Sequence, residues 1–217
     1  NLQGPTRLGR NNRIYPFSSI GEAPQDAGYR GEPTSLEIGD DNTIREGATL
    51  NRGTVRGGGV TRIGSHNLIM AYVHIAHDCT IGDHVVLVNN TSLAGHVTIG
   101  DHAMLSGFTL VSQFLSIGAC AFSTMGSAIN KHVPPYLLVS GNLARPVNLN
   151  VVGLKRRGFG EEEIRSLRRL YKRLFRSRDS LDVILAEQHD QDPQPPSVRA
   201  MLAFIAEHRG SHGGVIR

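Results

Sequence analysis

The sequence has no tryptophan, two cysteines and only three lysines in 217 residues. Two cysteines in a chain of this length do not make a disulfide framework, so Cys79 and Cys120 are expected to be reduced thiols of a cytoplasmic protein. No apolar run is long enough for a membrane-spanning helix, and no basic and then apolar leader opens the sequence. These absences predict a protein with neither a membrane span nor a signal peptide.

Bulky side chains are scarce as well, because aromatic residues make up only 6% of a chain that has 25 glycines. This composition favours a thin core built from repeated small elements. The net charge of +4 comes almost wholly from arginine. Such a mild basic excess is typical of proteins with an acidic partner or a phosphorylated substrate, although a solvated arginine-rich surface explains it equally well.

Aliphatic residues recur at every sixth position over a long central segment. The positions are Ile63, Ile69, Ile75, Ile81, Leu87, Leu93, Ile99, Leu105, Val111 and Ile117. The same spacing occurs earlier, at Leu8, Ile14 and Ile20 and at Ile38, Ile44 and Leu50. Two segments, 21–37 and 51–62, interrupt it and are predicted to be loops. The repeat is predicted to end after Ile117.

One aliphatic residue in six is too sparse for a helix face, and a helix would not tolerate this much glycine. A short strand followed by a tight corner fits the pattern, with one side chain pointing inward. Three such strands close a triangular coil of about 18 residues, and stacked coils bury a continuous aliphatic column. Residues 1–140 are therefore predicted to be an all-β left-handed parallel β-helix of hexapeptide repeats, an exception to right-handed crossovers.

The C-terminal part has a helical pattern instead. Apolar residues from Ile164 to Phe175 are spaced for one face of a helix over Glu161 to Arg178, with acids in its first turn and arginines later. A second helix is predicted after Ser180 and a third after 194–197. Residues 141–217 are therefore predicted to form a helical domain whose apolar stripe serves packing.

The stretch "AYVHIAHDCT" at 71–80 places His74, His77 and Asp78 together in an otherwise apolar run. One coil further on, "LAGHV" places Gly95 and His96 at the positions above His77 and Asp78. Four of these residues, His77, Asp78, Gly95 and His96, should gather on one edge of the prism. A second column has the same spacing and is interpreted as exposed corner histidines: His66, His84 and His102.

A histidine beside a carboxylate can be held in one tautomer, which leaves its other nitrogen free to take a proton. The backbone N–H of Gly95 would then face an oxyanion. A base, an orienting acid and an oxyanion donor on one edge indicate acyl transfer to a hydroxyl. Two alternatives stay open at this point. His74, His77 and His96 could ligate zinc, or the histidines could be satisfied side chains on a prism face.

Several motifs, in this order along the chain, resemble the UDP-N-acetylglucosamine O-acyltransferase family, which performs the first committed step of lipid A synthesis. They are "GEPT", "NRGT" followed by "GGG", "VHIAHDC", "LAGHV", "VPPYLL" and "NVVGLKRRGF". The match covers nearly the whole chain and is far more specific than the hexapeptide repeat. Some N-terminal coils of the family have no counterpart in this sequence.

The resemblance implies an enzyme that moves a 3-hydroxyacyl chain from acyl carrier protein to the 3-hydroxyl of UDP-N-acetylglucosamine. The phosphopantetheine thioester of the carrier protein would be the donor, with no separate cofactor and no metal. Such enzymes are cytoplasmic homotrimers with sites between subunits, and no nucleic-acid partner is expected. The basic charge would suit the acidic carrier protein.

The resemblance also implies roles for individual residues. His77 would be the general base, Asp78 would orient it, and the Gly95 amide would stabilise the oxyanion. Gln25 and Asp26 match positions that bind the N-acetylglucosamine unit. Other positions match residues that line the substrate cleft: His74, His96, Gln113, Asn150, Arg156 and Arg157. The last two are apt partners for a diphosphate or for phosphopantetheine, because guanidinium groups bind phosphate bidentately.

The chain departs from the family at four cleft positions, namely Gly28, Ser112, Leu143 and Val152, where a lysine, two histidines and an acid are usual. These changes leave the nucleotide affinity and the exact acceptor open. Met125 stands where the family sets the acyl length, often with glycine. A bulkier side chain shortens a channel, so the sequence predicts an acyl chain of about ten carbons rather than about fourteen.

Two further interpretations remain beside the O-acyltransferase. One is the related N-acyltransferase of lipid A synthesis, which acts on an amino-sugar nucleotide and lacks the "GLKRRGF" segment. The other is a non-catalytic trimeric paralogue that keeps the fold, which the four altered cleft positions and the missing N-terminal coils allow.

Overall fold

The computed structural model describes residues 1–189 and 194–217. Most of its first two thirds is a series of very short strands. They are β1 (Thr6–Leu8), β2 (Arg13–Ile14), β3 (Ser19–Glu22), β4 (Ser35–Ile38), β5 (Thr43–Ile44), β6 (Thr49–Asn51), β7 (Val60–Ile63), β8 (Leu68–Ile69), β9 (His74–Ile75), β10 (Thr80–Ile81), β11 (Val86–Leu87), β12 (Ser92–Leu93), β13 (Thr98–Ile99), β14 (Met104–Leu105), β15 (Leu110–Val111), β16 (Ser116–Ile117), β17 (Phe122–Ser123), β18 (Ala128–Ile129), β19 (Leu137–Ser140) and β20 (Arg145–Leu149).

The strands form three sheets, which are the three faces of a prism. The first face has the order β1-β4-β7-β10-β13-β16, the second β2-β5-β8-β11-β14-β17-β19-β20 and the third β18-β15-β12-β9-β6-β3. Successive strands of the chain thus lie on successive faces. Parallel registers such as His74 opposite Ser92 and Ile81 opposite Ile99 confirm an 18-residue coil. The fold is the predicted left-handed parallel β-helix.

The aliphatic column of the repeat is the core of the prism. Every repeat position from Ile63 to Ile117 is buried, with at most 3% of its surface exposed. Burial of one such side chain contributes about 1.5–3 kcal/mol, so the stack of inward residues holds the coils together. Ile14 is 40% exposed because it lies in the first coil that the structure describes.

The chain turns its corners with residues in the left-handed conformation, and these corner residues form three edges. Such backbone conformations favour asparagine, aspartate and histidine among non-glycine residues. The Asp78 edge, between the third and first faces, carries Asp78, His96 and Phe114. The His84 edge, between the first and second faces, carries Asn11, Asp41, His66, His84, His102 and Cys120. The Phe108 edge, between the second and third faces, carries Phe17, Tyr72, Asn90 and Phe108.

The predicted column of corner histidines is confirmed on the His84 edge. The rings of His66 and His84 stack with centroids 4.8 Å apart, and those of His84 and His102 stack at the same distance.

Both interruptions of the repeat emerge at the Asp78 edge. Residues 23–34 connect β3 to β4, and residues 52–59 connect β6 to β7 through a short 3-10 helix, Val55–Gly57. The predicted loops, 21–37 and 51–62, were up to three residues too long at their ends because the flanking strands extend into them. Loop 52–59 lies one coil from the corner that carries His77, and loop 23–34 lies two coils from it.

The prediction that the repeat ends after Ile117 is wrong. Strands β17 and β18 continue the prism, and Ile129 is buried at a repeat position. The intervening repeat position is Ser123, which is buried because its hydroxyl pairs with Thr109 Oγ1 at 2.8 Å and accepts from the Ser106 N–H at 3.2 Å. A satisfied hydroxyl therefore replaces the aliphatic side chain.

Four helices follow the strands: α1 (Val151–Arg156), α2 (Glu161–Arg176), α3 (Leu181–His189) and α4 (Pro196–His208). The three predicted helices are present, and α2 ends two residues earlier than expected. Its predicted apolar stripe is buried from Ile164 to Leu174. Helix α1 was not predicted because six residues are too few to show a helical period. Strand β20 pairs antiparallel with β19, so the second face extends to Leu149. The division at residue 140 stays a prediction.

The end of the chain returns to the prism next to the Asp78 edge. The buried His132 ring accepts from the Ser116 N–H at 3.0 Å and donates to the His212 carbonyl at 2.8 Å. Burial lowers the pKa of His132, in keeping with a neutral imidazole that uses one nitrogen as acceptor. The His212 ring then contacts the edge of Phe114, with centroids 5.9 Å apart. No helix in the described part of the chain is long and apolar enough to cross a membrane.

Candidate functional site

His77 and Asp78 are adjacent at a corner of the prism and are joined by a hydrogen bond. His77 Nδ1 lies 2.8 Å from Asp78 Oδ2. Because a carboxylate oxygen can only accept, Nδ1 carries the proton and Nε2 keeps its lone pair. The Asp78 side chain is 1% exposed and the His77 side chain 16%. The pair therefore presents one imidazole nitrogen at the surface, with an inaccessible carboxylate behind it.

The Asp78 carboxylate is held by further donors. Oδ1 accepts from the Thr54 N–H at 2.8 Å, and Oδ2 accepts from Thr54 Oγ1 at 2.7 Å. The Asp78 N–H donates to Thr61 Oγ1 at 2.8 Å, which anchors the left-handed corner residue from below. The two Thr54 donors fix the orientation of the carboxylate and face its negative charge. This charge is available to orient His77 and to stabilise the imidazolium that forms when His77 takes a proton.

Gly95 lies directly above His77 in the next coil. A Cβ at Gly95 would lie 2.5 Å from His77 Cε1 and 2.8 Å from Nε2, so the glycine backbone packs against the ring. Among the residues that the structure describes, the Gly95 N–H donates to no acceptor. An unused N–H in a backbone that packs against the imidazole is what an oxyanion donor requires.

His96 lies on the Asp78 edge, above Asp78 and below Phe114. Its Nε2 is 3.7 Å from Asp78 Oδ2, and its ring stands edge-on to His77 with centroids 5.2 Å apart. Phe114 stacks on His96 at 4.5 Å. His96 is therefore confined on two sides, close to His77.

His74 lies on the outer side of the third face, half-buried, with Nδ1 2.7 Å from Thr49 Oγ1. Burial and then the neighbouring His77 lower its pKa, which favours a neutral ring.

The zinc alternative needed His74, His77 and His96 together. In the described ranges, the potential ligand atoms that lie within 4.8 Å of one another belong to His77, Asp78 and His96. His74 is not among them, and its Nδ1 lies against Thr49 Oγ1 instead. The three histidines of the zinc alternative are therefore not assembled as one donor set.

The remaining predicted residues on the Asp78 edge lie above and below the pair. Gln113 is exposed one coil above Gly95. Asp26 lies in loop 23–34, where its Oδ1 accepts from the Gly28 N–H at 2.8 Å, and Gln25 is exposed beside it. A Cβ at Gly28 would lie 3.5 Å from Arg56 Nη1, so an arginine of loop 52–59 borders the position where the resemblance implies a lysine.

A second group of predicted residues lies on the His84 edge instead. Asn150, Arg156 and Arg157 line a cleft of about 780 Å³ together with His84 and His102. Asn150 also stabilises the start of α1. It is the N-cap of this helix, and its Oδ1 accepts from the Gly153 N–H at 3.1 Å. Arg157 donates to the His102 carbonyl at 3.1 Å. The two arginines form no ion pair with a carboxylate among residues 1–189 and 194–217, so their charges are available to an anion.

Met125, the residue predicted to set the acyl length, lies on the Phe108 edge. It is 76% exposed, beside Gly126. The altered cleft positions are also at the surface: Ser112 and Leu143 are exposed, and Val152 lines the cleft on the His84 edge. One chain therefore does not bring together the residues of the Asp78 edge and those of the other two edges.

Sequence reasoning missed the residues that hold Asp78. "NRGT" and "GGG" contributed to the resemblance, but no role followed from them, because the contact between Thr54 and Asp78 spans 24 positions. The only signal was the concentration of glycines in 53–59, since a Cβ at Gly53 would lie 2.8 Å from Asp78 Oδ1.

Known proteins resemble this chain over most of its length. Residues 132–215 match the family model for domain 2 of UDP-N-acetylglucosamine O-acyltransferase, and residues 61–95 match the bacterial transferase hexapeptide model. The chain is 53% identical over 203 residues to the acyl-[acyl-carrier-protein]–UDP-N-acetylglucosamine O-acyltransferase of Halorhodospira halophila, covering 94% of this chain and 79% of the relative. The enzyme of the same name from Alkalilimnicola ehrlichii is 54% identical, with 93% and 77% covered.

Solved structures give the same result. The UDP-N-acetylglucosamine acyltransferase of Francisella novicida superimposes with a TM-score of 0.95 at 39% identity, covering 100% of this chain and 78% of that one. The UDP-N-acetylglucosamine O-acyltransferase of Moraxella catarrhalis superimposes with a TM-score of 0.94 at 42% identity, with 98% and 81% covered.

Proposed function

Since the chain belongs to the UDP-N-acetylglucosamine O-acyltransferase family and is an acyl-[acyl-carrier-protein]–UDP-N-acetylglucosamine O-acyltransferase, we propose that His77 is the general base of this transfer. The observation that carries the proposal is the 2.8 Å contact between His77 Nδ1 and the buried Asp78 carboxylate, with Nε2 free and the Gly95 backbone against the ring. A base of this kind contributes about 10²–10⁴-fold to a rate.

The proposed reaction proceeds in two steps. His77 Nε2 takes the proton of the acceptor hydroxyl while the hydroxyl oxygen attacks the thioester carbonyl of the donor. The Gly95 N–H donates to the oxyanion of the tetrahedral intermediate, and Asp78 stabilises the imidazolium. The intermediate then collapses, the carbon–sulfur bond breaks, and His77 returns the proton to the departing thiolate. The donor is the phosphopantetheine thioester of acyl carrier protein, and no separate cofactor takes part.

The finer identities of the substrates also belong to the proposal. The acyl chain is a 3-hydroxyacyl group, and the acceptor is the 3-hydroxyl of the N-acetylglucosamine ring, which Gln25 and Asp26 bind at the Asp78 edge. The two free cysteines accord with a cytoplasmic location.

Five cations on one face of α2 support the carrier protein as partner: Arg165, Arg168, Arg169, Lys172 and Arg176. All five are exposed, and none pairs with a carboxylate in the part of the chain that the structure describes. Like charges three and four residues apart on a helix repel one another, so an acidic partner would relieve an unfavourable arrangement.

We also propose that the active unit is a homotrimer with its sites between subunits. The catalytic pair lies on the Asp78 edge, whereas Asn150, Arg156 and Arg157 line the cleft on the His84 edge. Two copies side by side can oppose these edges, but one chain cannot. Exposed aromatic residues on the Phe108 edge, with Phe17 91% and Tyr72 66% exposed, supply apolar area for contact between copies.

The trimer predicts that two inactive variants complement each other. His77→Ala and Arg156→Glu impair opposite sides of the proposed site, so refolding them together in equal amounts restores sites in which one subunit supplies His77 and its neighbour Arg156. Random mixing yields about one quarter of the wild-type number of sites. Turnover of the mixture, compared with that of each variant alone, is the measurement. A mixture no more active than its components would contradict sites shared between subunits.

Met125→Gly is expected to lengthen the preferred acyl chain. Met125 precedes β18, which lies three strands from β9 on the third face, and the residue is 76% exposed at that level of the prism. Removal of the side chain should raise the kcat/KM ratio of long over short 3-hydroxyacyl donors by at least about tenfold. Product masses with UDP-N-acetylglucosamine as acceptor measure this ratio. Wild-type preference for the longest donor would refute the role of Met125.

A further inference from the structure

The residue that holds Asp78 most extensively is Thr54. Its backbone N–H donates to Oδ1 at 2.8 Å, and its hydroxyl lies 2.7 Å from Oδ2, the oxygen that also accepts from His77 Nδ1. Thr54 is 4% exposed and the Asp78 side chain 1%. Hydrogen bonds to an ionised group that water cannot reach are strong and well defined in direction.

The direction of the hydroxyl bond follows from a second contact. The Gly57 N–H donates to Thr54 Oγ1 at 3.2 Å, which leaves the single hydroxyl proton for Asp78 Oδ2. Loop 52–59 closes around the carboxylate so tightly that a Cβ at Gly57 would overlap Asp78 Cγ. The orientation of the carboxylate, and with it the position of the His77 ring, is therefore set by this loop.

We propose that Thr54 is a positioning residue of the acyl transfer, which acts through Asp78 on the orientation and basicity of His77. The inference rests on the proposed role of His77 as the base. Thr54 itself, behind the carboxylate, touches no reacting atom.

Loss of the Thr54 hydroxyl has two consequences. Oδ2 loses one of its two donors, so more of its negative charge acts on His77 and stabilises the imidazolium that forms when the base takes a proton. The carboxylate is also held by fewer bonds, so the ring is presented less accurately to the acceptor hydroxyl. The acidic limb of the kcat/KM profile should therefore move to higher pH, and kcat should fall while KM changes little.

Thr54→Val tests this inference, because it keeps the shape and the backbone N–H and removes only the hydroxyl. We expect kcat to fall about tenfold with an unchanged KM for both substrates, and the acidic limb to move upward. Thr54→Ser, which keeps the hydroxyl, should restore both. Thr109→Val is the matched control, because it removes another buried threonine hydroxyl, one that donates to the Ser106 carbonyl at 2.6 Å, on a different edge. The control should leave the limb in place.

Three outcomes would overturn the inference: a wild-type kcat and pH profile in Thr54→Val, a loss of activity and thermal stability with an unmoved limb, or a failure of Thr54→Ser to restore the profile. If Thr54→Val does not fold, Thr54→Ala removes the same hydroxyl and carries the same expectation. His77→Ala distinguishes a failure of the proposed role of His77 from a failure of the proposed role of Thr54. An active His77→Ala removes the premise, whereas an inactive His77→Ala beside a normal Thr54→Val rejects the role of Thr54 alone.

Discussion

Replacement of His77 by alanine is expected to lower kcat by about 10²–10⁴-fold, the usual contribution of a general base. The side chain is 16% exposed and makes one side-chain hydrogen bond, to Asp78, so its removal leaves the aliphatic column of the prism intact. The KM for UDP-N-acetylglucosamine should change little, because His77 acts in the transition state. Transfer from an acylated carrier protein to UDP-N-acetylglucosamine, followed by mass spectrometry, measures the effect.

His66→Ala is the matched control. His66 is also a histidine at a left-handed corner, with φ of 60°, but it lies on the His84 edge and not beside Asp78. Its replacement should leave turnover near the wild-type value, and both variants should keep the wild-type melting temperature and oligomeric state. Undiminished turnover in His77→Ala would show that another group is the base.

Gly95→Ala is expected to lower kcat almost as much as His77→Ala, although it adds only a single methyl group. The new Cβ would lie 2.8 Å from His77 Nε2, well inside van der Waals contact, and would cover the nitrogen that takes the proton. The ring would have to move away from Asp78 or the coil would have to shift. A displacement of about 1 Å in a catalytic group can cost about 10²-fold in rate, so kcat should fall by at least this factor.

Gly107→Ala provides the comparison for this variant. Gly107 occupies the same position, one residue before a left-handed corner residue, but on the Phe108 edge. A Cβ there would meet the Asn89 carbonyl at 3.3 Å and Val88 Cγ1 at 3.7 Å, a tight but adjustable fit. Its turnover should stay within about twofold of wild type, in line with a substitution remote from the reacting groups. Equal activity of Gly95→Ala and Gly107→Ala would remove Gly95 from the proposed site.

The contacts of His77 and Asp78 show which parts of the site the residue pattern predicts. The six-residue spacing places His77 under Gly95 and Asp78 under His96, and the structure confirms both stackings. These contacts were predictable because a β-helix converts a fixed sequence interval into vertical contact. The hydrogen bond between His77 and Asp78 was predictable too, since Asp78 directly follows His77 and the two side chains meet at 2.8 Å.

Contacts that do not follow the 18-residue interval of the coils were not predictable from the sequence. Thr54 lies 24 residues before Asp78, in a loop whose path depends on packing rather than on the repeat. Ser123 occupies an inward position that the pattern reserves for an aliphatic residue, and its hydrogen bonds with Thr109 and with the Ser106 N–H explain its burial. The tail that meets Phe114 through His212 likewise follows from the docking of α4, about which the strand period carries no information.

The sequence by itself determined the prism, its 18-residue coil and the edge on which His77 and Asp78 stand, because an aliphatic residue at every sixth position can be buried in only one repeating way. Only the tertiary structure decided how the Asp78 carboxylate is held, which residues share the cleft on the His84 edge, and that Met125 lies on the third edge. These outcomes depend on the positions of the loops and of the helical domain. Many weak packing contacts set those positions, and the residues that make them are not regularly spaced in the sequence.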